Sequence, residues 1–199
     1  MPRFLALVAF TLLCAASASA QPVSWNVDMN HTEIGFIARH LGFSKVHGEF
    51  KTFTAKVTAD AKTGQLVAFE ATIEAKSVDT GVEKRDKHLR SDDFFAADQF
   101  PQITVKSKSI KWNGKKFTGV ATMTIRGNTK DVPFKGELLG VETVNFGQGA
   151  HLRAGYEATA TINRKEFGLK FGGLAEGLSI VADDVVIEIT AETSYTPAK

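Results

Sequence analysis

Cysteine is nearly absent from this chain: its 199 residues include one, Cys14, so no internal disulfide can form and no thiolate set can hold zinc. An excess of one charge is missing too. Lysine and arginine number 24 against 22 acidic residues, a formal net charge of +2, which is too balanced to point to nucleic acid or to polybasic attachment at a membrane. With 5 prolines and 17 glycines in no fixed period, the composition excludes collagenous and disordered classes. No apolar stretch reaches the roughly 20 residues that a spanning helix needs. Helical periodicity is scarce as well, which excludes a coiled coil.

The longest apolar run, Phe4 to Leu13, follows Arg3 and precedes Ala18-Ser19-Ala20. A basic start, a short apolar centre and a small-residue cleavage site together read as a secretory leader over residues 1–20, which predicts export. Cys14 follows Leu12-Leu13 rather than a small residue, so it does not read as a lipid-anchor cysteine. Residues 21–199 then form one domain without cysteine, held by its core alone.

What the chain does have is alternation. Val67, Phe69, Ala71, Ile73 and Ala75 share one face of a strand, with Glu70, Thr72 and Glu74 on the other. The same pattern sets Phe53, Ala55, Val57 and Ala59 against Thr54, Lys56 and Thr58. It recurs in Phe117 to Ile125, Leu152 to Ile162 and Val185 to Ile189. Strands are predicted near 23–28, 32–39, 46–60, 65–77, 102–112, 115–126, 130–145, 151–162 and 183–193, separated by turns such as Asn113-Gly114 and Gly127-Asn128. Charged residues around Leu89, Phe94 and Phe95 make Glu83 to Ala97 a helical insertion, and Arg164 to Leu169 a second short helix or turn.

Sequential antiparallel strands with one apolar face hide their edges by closing into a barrel, although a two-sheet sandwich satisfies the same alternation. The predicted class is all-β: an antiparallel barrel of about eight strands with a short helical insertion. Its apolar faces carry many small residues, among them Ala55, Ala59, Ala71, Gly119, Ala121, Ala154, Ala158 and Ala160. Either these let the barrel pack tightly or they leave a lumen. An open lumen of this kind suits a hydrocarbon chain, since each buried CH₂ contributes about 0.8 kcal/mol.

Motifs for chemistry are sparse. His31, His40 and His47 fall close together, yet their spacing matches no common zinc set, so no metal site is expected. There is no Gly-x-Ser-x-Gly elbow and no phosphate loop or dinucleotide fingerprint. Asp92-Asp93 reads as a solvated helix face. These readings favour binding over catalysis.

Three blocks carry a resemblance. The first runs from Asp28 to Phe50 and includes His31, Gly35, Phe36, Arg39, His40, Gly42 and His47; the second runs from Arg85 to Phe95 with Phe100-Pro101; the third runs from Asn163 to Leu169. In this order they resemble the YceI family of polyisoprenoid-binding proteins. The resemblance implies a lipocalin-like extended antiparallel eight-stranded barrel that holds a long isoprenoid, a prenyl quinone or a polyprenyl phosphate, in a periplasmic protein. It also implies a bound isoprenoid lipid or quinone as cargo and no required cofactor. Mapped onto this chain, the tail would contact Phe36, Val67, Phe69, Ile73, Phe94, Phe95, Ala121, Met123, Tyr156, Ala158 and Phe167. The head group would meet Arg39, His40, His88, Arg90 or Arg164 at one mouth. The alternative for Arg39, Asp86, His88 and Arg164 is a polar network that pins the helical insertion to the barrel.

Two competing readings stay open at this stage. One is an enzyme acting on such a lipid, with His40 or His88 as acid or base. The other is a filled barrel that docks on a membrane redox protein. A transient membrane-protein partner and a homodimer are both compatible with the sequence.

Overall fold

The computed structural model describes residues 22–145, 147, 149–175 and 178–197; the expected leader, residues 1–20, lies outside the described residues. The first strands are β1 (Pro22–Val27), β2 (Glu33–His40), β3 (Ser44–Phe50), β4 (Phe53–Asp60), β5 (Leu66–Glu74) and the short β6 (Val78–Asp79). Helix α1 (Glu83–Arg90) follows, and then β7 (Gln102–Asn113), β8 (Lys116–Ile125), β9 (Asn128–Asn145) and β10 (Ala150–Asn163). A small hairpin of β11 (Leu174–Ala175) and β12 (Leu178–Ser179) precedes the last strand, β13 (Val181–Tyr195).

Strands β1, β4, β5, β7, β8, β9, β10 and β13 form a closed antiparallel ring of eight, completed where β1 pairs with β13 at Asn26↔Ser194 and Val27↔Thr193. This is the barrel expected from the alternation, in the extended antiparallel eight-stranded lipocalin-like form that the resemblance implies. Closure leaves no unpaired edge on the ring. Strand β13 gives one edge to β10 and divides the other between two partners, β2 from Val181 to Thr190 and β1 near its C-terminal end. Strands β2, β3 and β6 therefore branch from the ring as a side flap.

That branching corrects one expectation. The apolar pattern over 46–60 is not one strand: β3 leaves to pair with β2 and β6, the chain breaks at Lys51-Thr52, and β4 begins anew beside β1. The break is sealed by backbone bonds, with the Lys51 amide donating to the Ser77 carbonyl at 3.1 Å and the Glu74 amide to the Thr52 carbonyl at 2.9 Å.

The two ends of the barrel differ. One is packed with Trp25, Val57, Ala59, Leu66, Phe117, Leu138 and Tyr156. There the β4–β5 turn is built on Asp60, whose carboxylate accepts from the Lys62 amide and from the Thr63 amide and hydroxyl at 2.7 to 3.0 Å. The Tyr156 hydroxyl donates to the Gly64 carbonyl at 2.7 Å and ties this turn to the far wall, while burial pushes the phenol up to about 12. The other end is covered by α1, the turns after it and the 3-10 turn Arg164–Phe167, packed on Phe50, Phe94, Ile162 and Leu169.

Candidate functional site

Between these ends lies a cavity of ≈ 260 Å³ whose lining is overwhelmingly aliphatic and aromatic. That is near the lower bound, about 300 Å³, of usual small-molecule sites. Its walls come from every ring strand, because the inward faces carry Ala55, Ala71, Ala121, Ala158 and Ala160 where larger side chains would have met across the lumen. Strand β5 alone lines it from Leu66 to Ile73, which at about 3.3 Å per residue spans roughly 20 Å. The space is elongated along the barrel.

Nine of the side chains assigned to a tail line this cavity: Phe36, Phe69, Ile73, Phe94, Phe95, Ala121, Met123, Tyr156 and Ala158. Two do not. Val67 is 44% exposed, because the register between β4 and β5 slips between Ala59↔Leu66 and Thr58↔Ala68. Val67 is the extra residue of that bulge; Leu66 takes the inward position in its place. Phe167, the last residue of the 3-10 turn, is buried at 2% exposure and packs as part of the end cover rather than on the cavity surface.

The cations proposed to meet a head group are already engaged or point elsewhere. Arg39 lies on the outer face of β2, beside Lys45, Asp183, Asp184 and Glu188, since it alternates with the inward Phe36 and Ala38. His40 is exposed at the end of the same strand. His88 Nε2 is 2.8 Å from the Asp93 carboxylate, and the imidazole packs edge-on against Phe94 and Phe171 at 5.1 and 5.0 Å. Arg90 donates to the Lys76 and Val78 carbonyls at 2.8 and 2.9 Å, which pins α1 to β6. Arg164 borders the cavity but is 3% exposed, and its guanidinium donates to the Leu169, Val181 and Ala182 carbonyls and to Asp183.

Asp86 has a similar pinning role: its buried carboxylate accepts from the Thr80 amide at 2.9 Å and from the Thr80 hydroxyl. The pinning network therefore uses Asp86, Arg90 and Arg164, each at its own junction, and does not include Arg39.

Several residues of the site escaped the sequence reading. Val132, Phe134 and Leu138 alternate on β9, and Val132 and Phe134 line the lumen; their spacing was the available signal. Arg126 carries no motif, yet its guanidinium donates to the Phe94 carbonyl at 3.0 Å and the Gly168 carbonyl at 2.8 Å, joining two parts of the end cover.

At the opposite end, ligand atoms of Asp28, His31 and Glu192 lie within 4.8 Å of one another. Arg153 reaches the Asp28 carboxylate and also Glu192, at 3.4 Å, so this group is neutralised by a guanidinium where a cation would sit. Its electrostatics are those of an ion-pair network. Asp28 is held below the usual carboxylate range, chiefly by the hydrogen bond from His31, with the Asn30 amide and Arg153 adding to it.

The YceI-like domain family matches this chain over residues 25–193. A UPF0312 protein of Photorhabdus laumondii is 36% identical over 159 residues, which cover 80% of this chain and 81% of that one. A YceI protein of Campylobacter jejuni has a crystal structure similar at a TM-score of 0.68 and 26% identity, covering 96% of this chain and 100% of that chain. A polyisoprenoid binding domain from Saccharophagus degradans shares the fold at a TM-score of 0.61 and 13% identity, with 86% and 98% of the two chains covered. With the family matched from Trp25 to Thr193, through all eight strands of the ring, the chain belongs to the YceI family.

Proposed function

We propose that this protein is a periplasmic carrier that holds the tail of a long-chain isoprenoid lipid, a prenyl quinone, polyprenyl phosphate or similar amphiphile, in the barrel lumen. The observation that carries the reading is the elongated cavity itself, walled by apolar side chains from every strand of a closed ring. At about 0.8 kcal/mol per buried CH₂, a tail of ten or more carbons would supply micromolar affinity without any polar contact. The polyisoprenoid binding domain of the same fold gives the ligand class its support. The leader read over residues 1–20 supports the compartment.

The cations near the α1 end hold backbone carbonyls and carboxylates, so a head group would project toward solvent rather than into a charged pocket. The carrier then selects by tail more than by head. Native mass spectrometry of protein taken from its own periplasm tests this: a co-purified isoprenoid mass is expected. An empty protein that also takes up no prenyl quinone, prenyl alcohol or polyprenyl phosphate would overturn the reading.

A further inference from the structure

The cover over the α1 end of the lumen is fixed along most of its border by hydrogen bonds. On the β6 side Arg90 donates to the Lys76 and Val78 carbonyls, and the Asp86 carboxylate accepts from Thr80. At the start of β7 the Ala75 amide donates to the Pro101 carbonyl at 2.8 Å. Toward the 3-10 turn, Arg126 joins the Phe94 and Gly168 carbonyls, and the Asn128 side chain donates to the Phe167 carbonyl at 3.0 Å.

One border differs. Where the end of α1 and the turn after it meet residues 170–173, no hydrogen bond crosses among the described residues, and the closure is made by three rings. Phe171 lies edge-on to His88 at 5.0 Å and tilted against Phe94 at 5.1 Å. Both partners are anchored: His88 by the Asp93 carboxylate at 2.8 Å, and Phe94 through its carbonyl by Arg126. The Phe171 ring is held by packing. It rests on Gly173, where a Cβ would stand 2.8 Å from Phe171 Cζ, and it is only partly buried.

The lumen lies directly behind these rings. Leu89, next to His88 on α1, lines it, as do Phe94, Leu169, Val181 and Val185. The wall beside them is interrupted as well: β13 pairs with β2 at Val181↔His40 and then from Val185↔Ala38, so the ladder skips residues 182–184. The opposite end is stoppered, since Trp25, Phe117 and Leu138 pack across it and Tyr156 bonds to Gly64.

We propose that this ring-closed border is the portal of the lumen and that the Phe171 side chain is its gate, moving aside while α1 stays bonded to β6. Each aromatic contact shifts an opening equilibrium by only about two- to tenfold, less than the hydrogen bonds to charged groups that hold the other borders. A gap the width of one displaced ring admits a flexible hydrocarbon chain end-on, so the tail enters first and a polar head stays outside. The proposal rests on the carrier reading for its cargo, but the route itself can be measured without lipid.

Residues 21–199 contain no cysteine, so one introduced thiol reports access. Ala160→Cys places it on the lumen wall, and Thr193→Cys places it at the floor end, where the native residue is fully buried. Adding Phe171→Ala should speed the reaction of Ala160→Cys with N-ethylmaleimide about tenfold or more, and Phe171→Leu by a smaller factor. Thr193→Cys should keep its rate in both backgrounds. Phe43→Ala, in the exposed turn between β2 and β3, is the control and should change neither rate. In the Phe171 variants, association and dissociation of a prenyl alcohol should quicken together, with Kd nearly unchanged. An unaltered Ala160→Cys rate in both Phe171 variants would overturn the portal. Equal acceleration of Thr193→Cys would overturn it too, because the whole fold would then be loosening. Acceleration confined to Ala160→Cys, in a protein that takes up no lipid, would uphold the portal and overturn the carrier reading instead.

Discussion

Phe134 and Gly119 are directly paired across β9 and β8, and the phenylalanine ring occupies the space where a side chain at Gly119 would begin: a Cβ there would stand 2.5 Å from Phe134 Cζ. The same arrangement holds for Phe117 over Gly136, at 2.3 Å, and for Phe36 over Gly48, at 2.3 Å. In all three, a ring is laid on the glycine of the neighbouring strand. Aromatic–glycine cross-strand pairs cover exposed backbone. Here Phe36 borders the open part of the lumen, while Phe117 and Phe134 belong to the packed group at its floor.

Gly119→Ala is therefore expected to destabilise the fold by about 1–3 kcal/mol, as overpacking does. The new methyl would also meet the Ser109 carbonyl at 2.1 Å, which only a backbone shift relieves. Gly140→Ala is the matched control, because nothing lies within 4 Å of a Cβ there. That variant should stay within about 0.5 kcal/mol of wild type. Urea unfolding followed by circular dichroism gives both values.

The sequence is compatible with Arg164 as a head-group ligand or as part of a pinning network, and its geometry leads to a prediction that separates the two. Its guanidinium satisfies three carbonyls, including that of Val181 at the irregular start of β13. Arg164→Ala leaves those acceptors buried without a donor, at a cost of about 3 kcal/mol or more. Arg164→Lys should recover only part, since an ammonium cannot reproduce the planar fork. Thermal melting measures the loss. With Arg164→Lys folded at low temperature, the ratio of affinities for a prenyl phosphate and the matching prenyl alcohol should equal that of wild type; a selective loss of phosphate affinity would assign Arg164 to the head group.

Stability should fall in acid partly through Asp28. Its carboxylate accepts from His31 Nδ1 at 3.0 Å, from the Asn30 amide at 3.1 Å and from Arg153, and these bonds hold its pKa below the ordinary carboxylate value. The native state thus favours the anion. The stabilisation is fully present above the unfolded value, about 3.9, and is lost as pH drops through the lower folded value. Denaturation midpoints measured from about pH 6 downward should decline less steeply in Asp28→Asn than in wild type. Parallel declines would show that the network contributes nothing to acid sensitivity.

Most of the fold could be read from the residues because long stretches of the barrel strands alternate in a single phase. Phe53 to Ala59, Phe117 to Ile125 and Ala154 to Ile162 all turn inward as their pattern predicts. Val67 fails for a physical reason: a bulge shifts the phase by one residue, and Leu66-Val67 are both apolar, so neither choice of face conflicts with composition. The division of 46–60 was hidden in the same way, since Phe50 and Phe53 are both buried and the phase change falls between them. Cations were harder still. His88 and Arg90 sit in a motif-bearing segment, but whether a guanidinium meets a ligand or a carbonyl depends on where β6 passes, which no local pattern encodes.

The depth of the lumen is set by aromatic rings, and this gives a prediction about ligand length. Phe69 meets Phe134 edge-on at 5.4 Å, Phe134 meets Phe117 at 6.2 Å, and Phe117 packs on Trp112 at 4.8 Å. Trp25, Leu66 and Leu138 lie in the same packed cluster, so this group limits how far a tail can enter. Phe134→Ala should lengthen the preferred tail while lowering stability by about 3–5 kcal/mol. Phe69→Leu is a milder variant that removes the edge-on contact and should shift the preference in the same direction by less. Competition among prenyl alcohols of increasing length, followed by native mass spectrometry, measures the preference. Trp112, whose indole N–H donates to the Leu66 carbonyl at 3.0 Å, supplies a fluorescence signal from the floor. An unchanged preferred length in both variants, with tails still bound, would mean that the tail stops short of Phe69 and Phe134 and that the upper lumen, near Phe36 and Phe95, sets the limit.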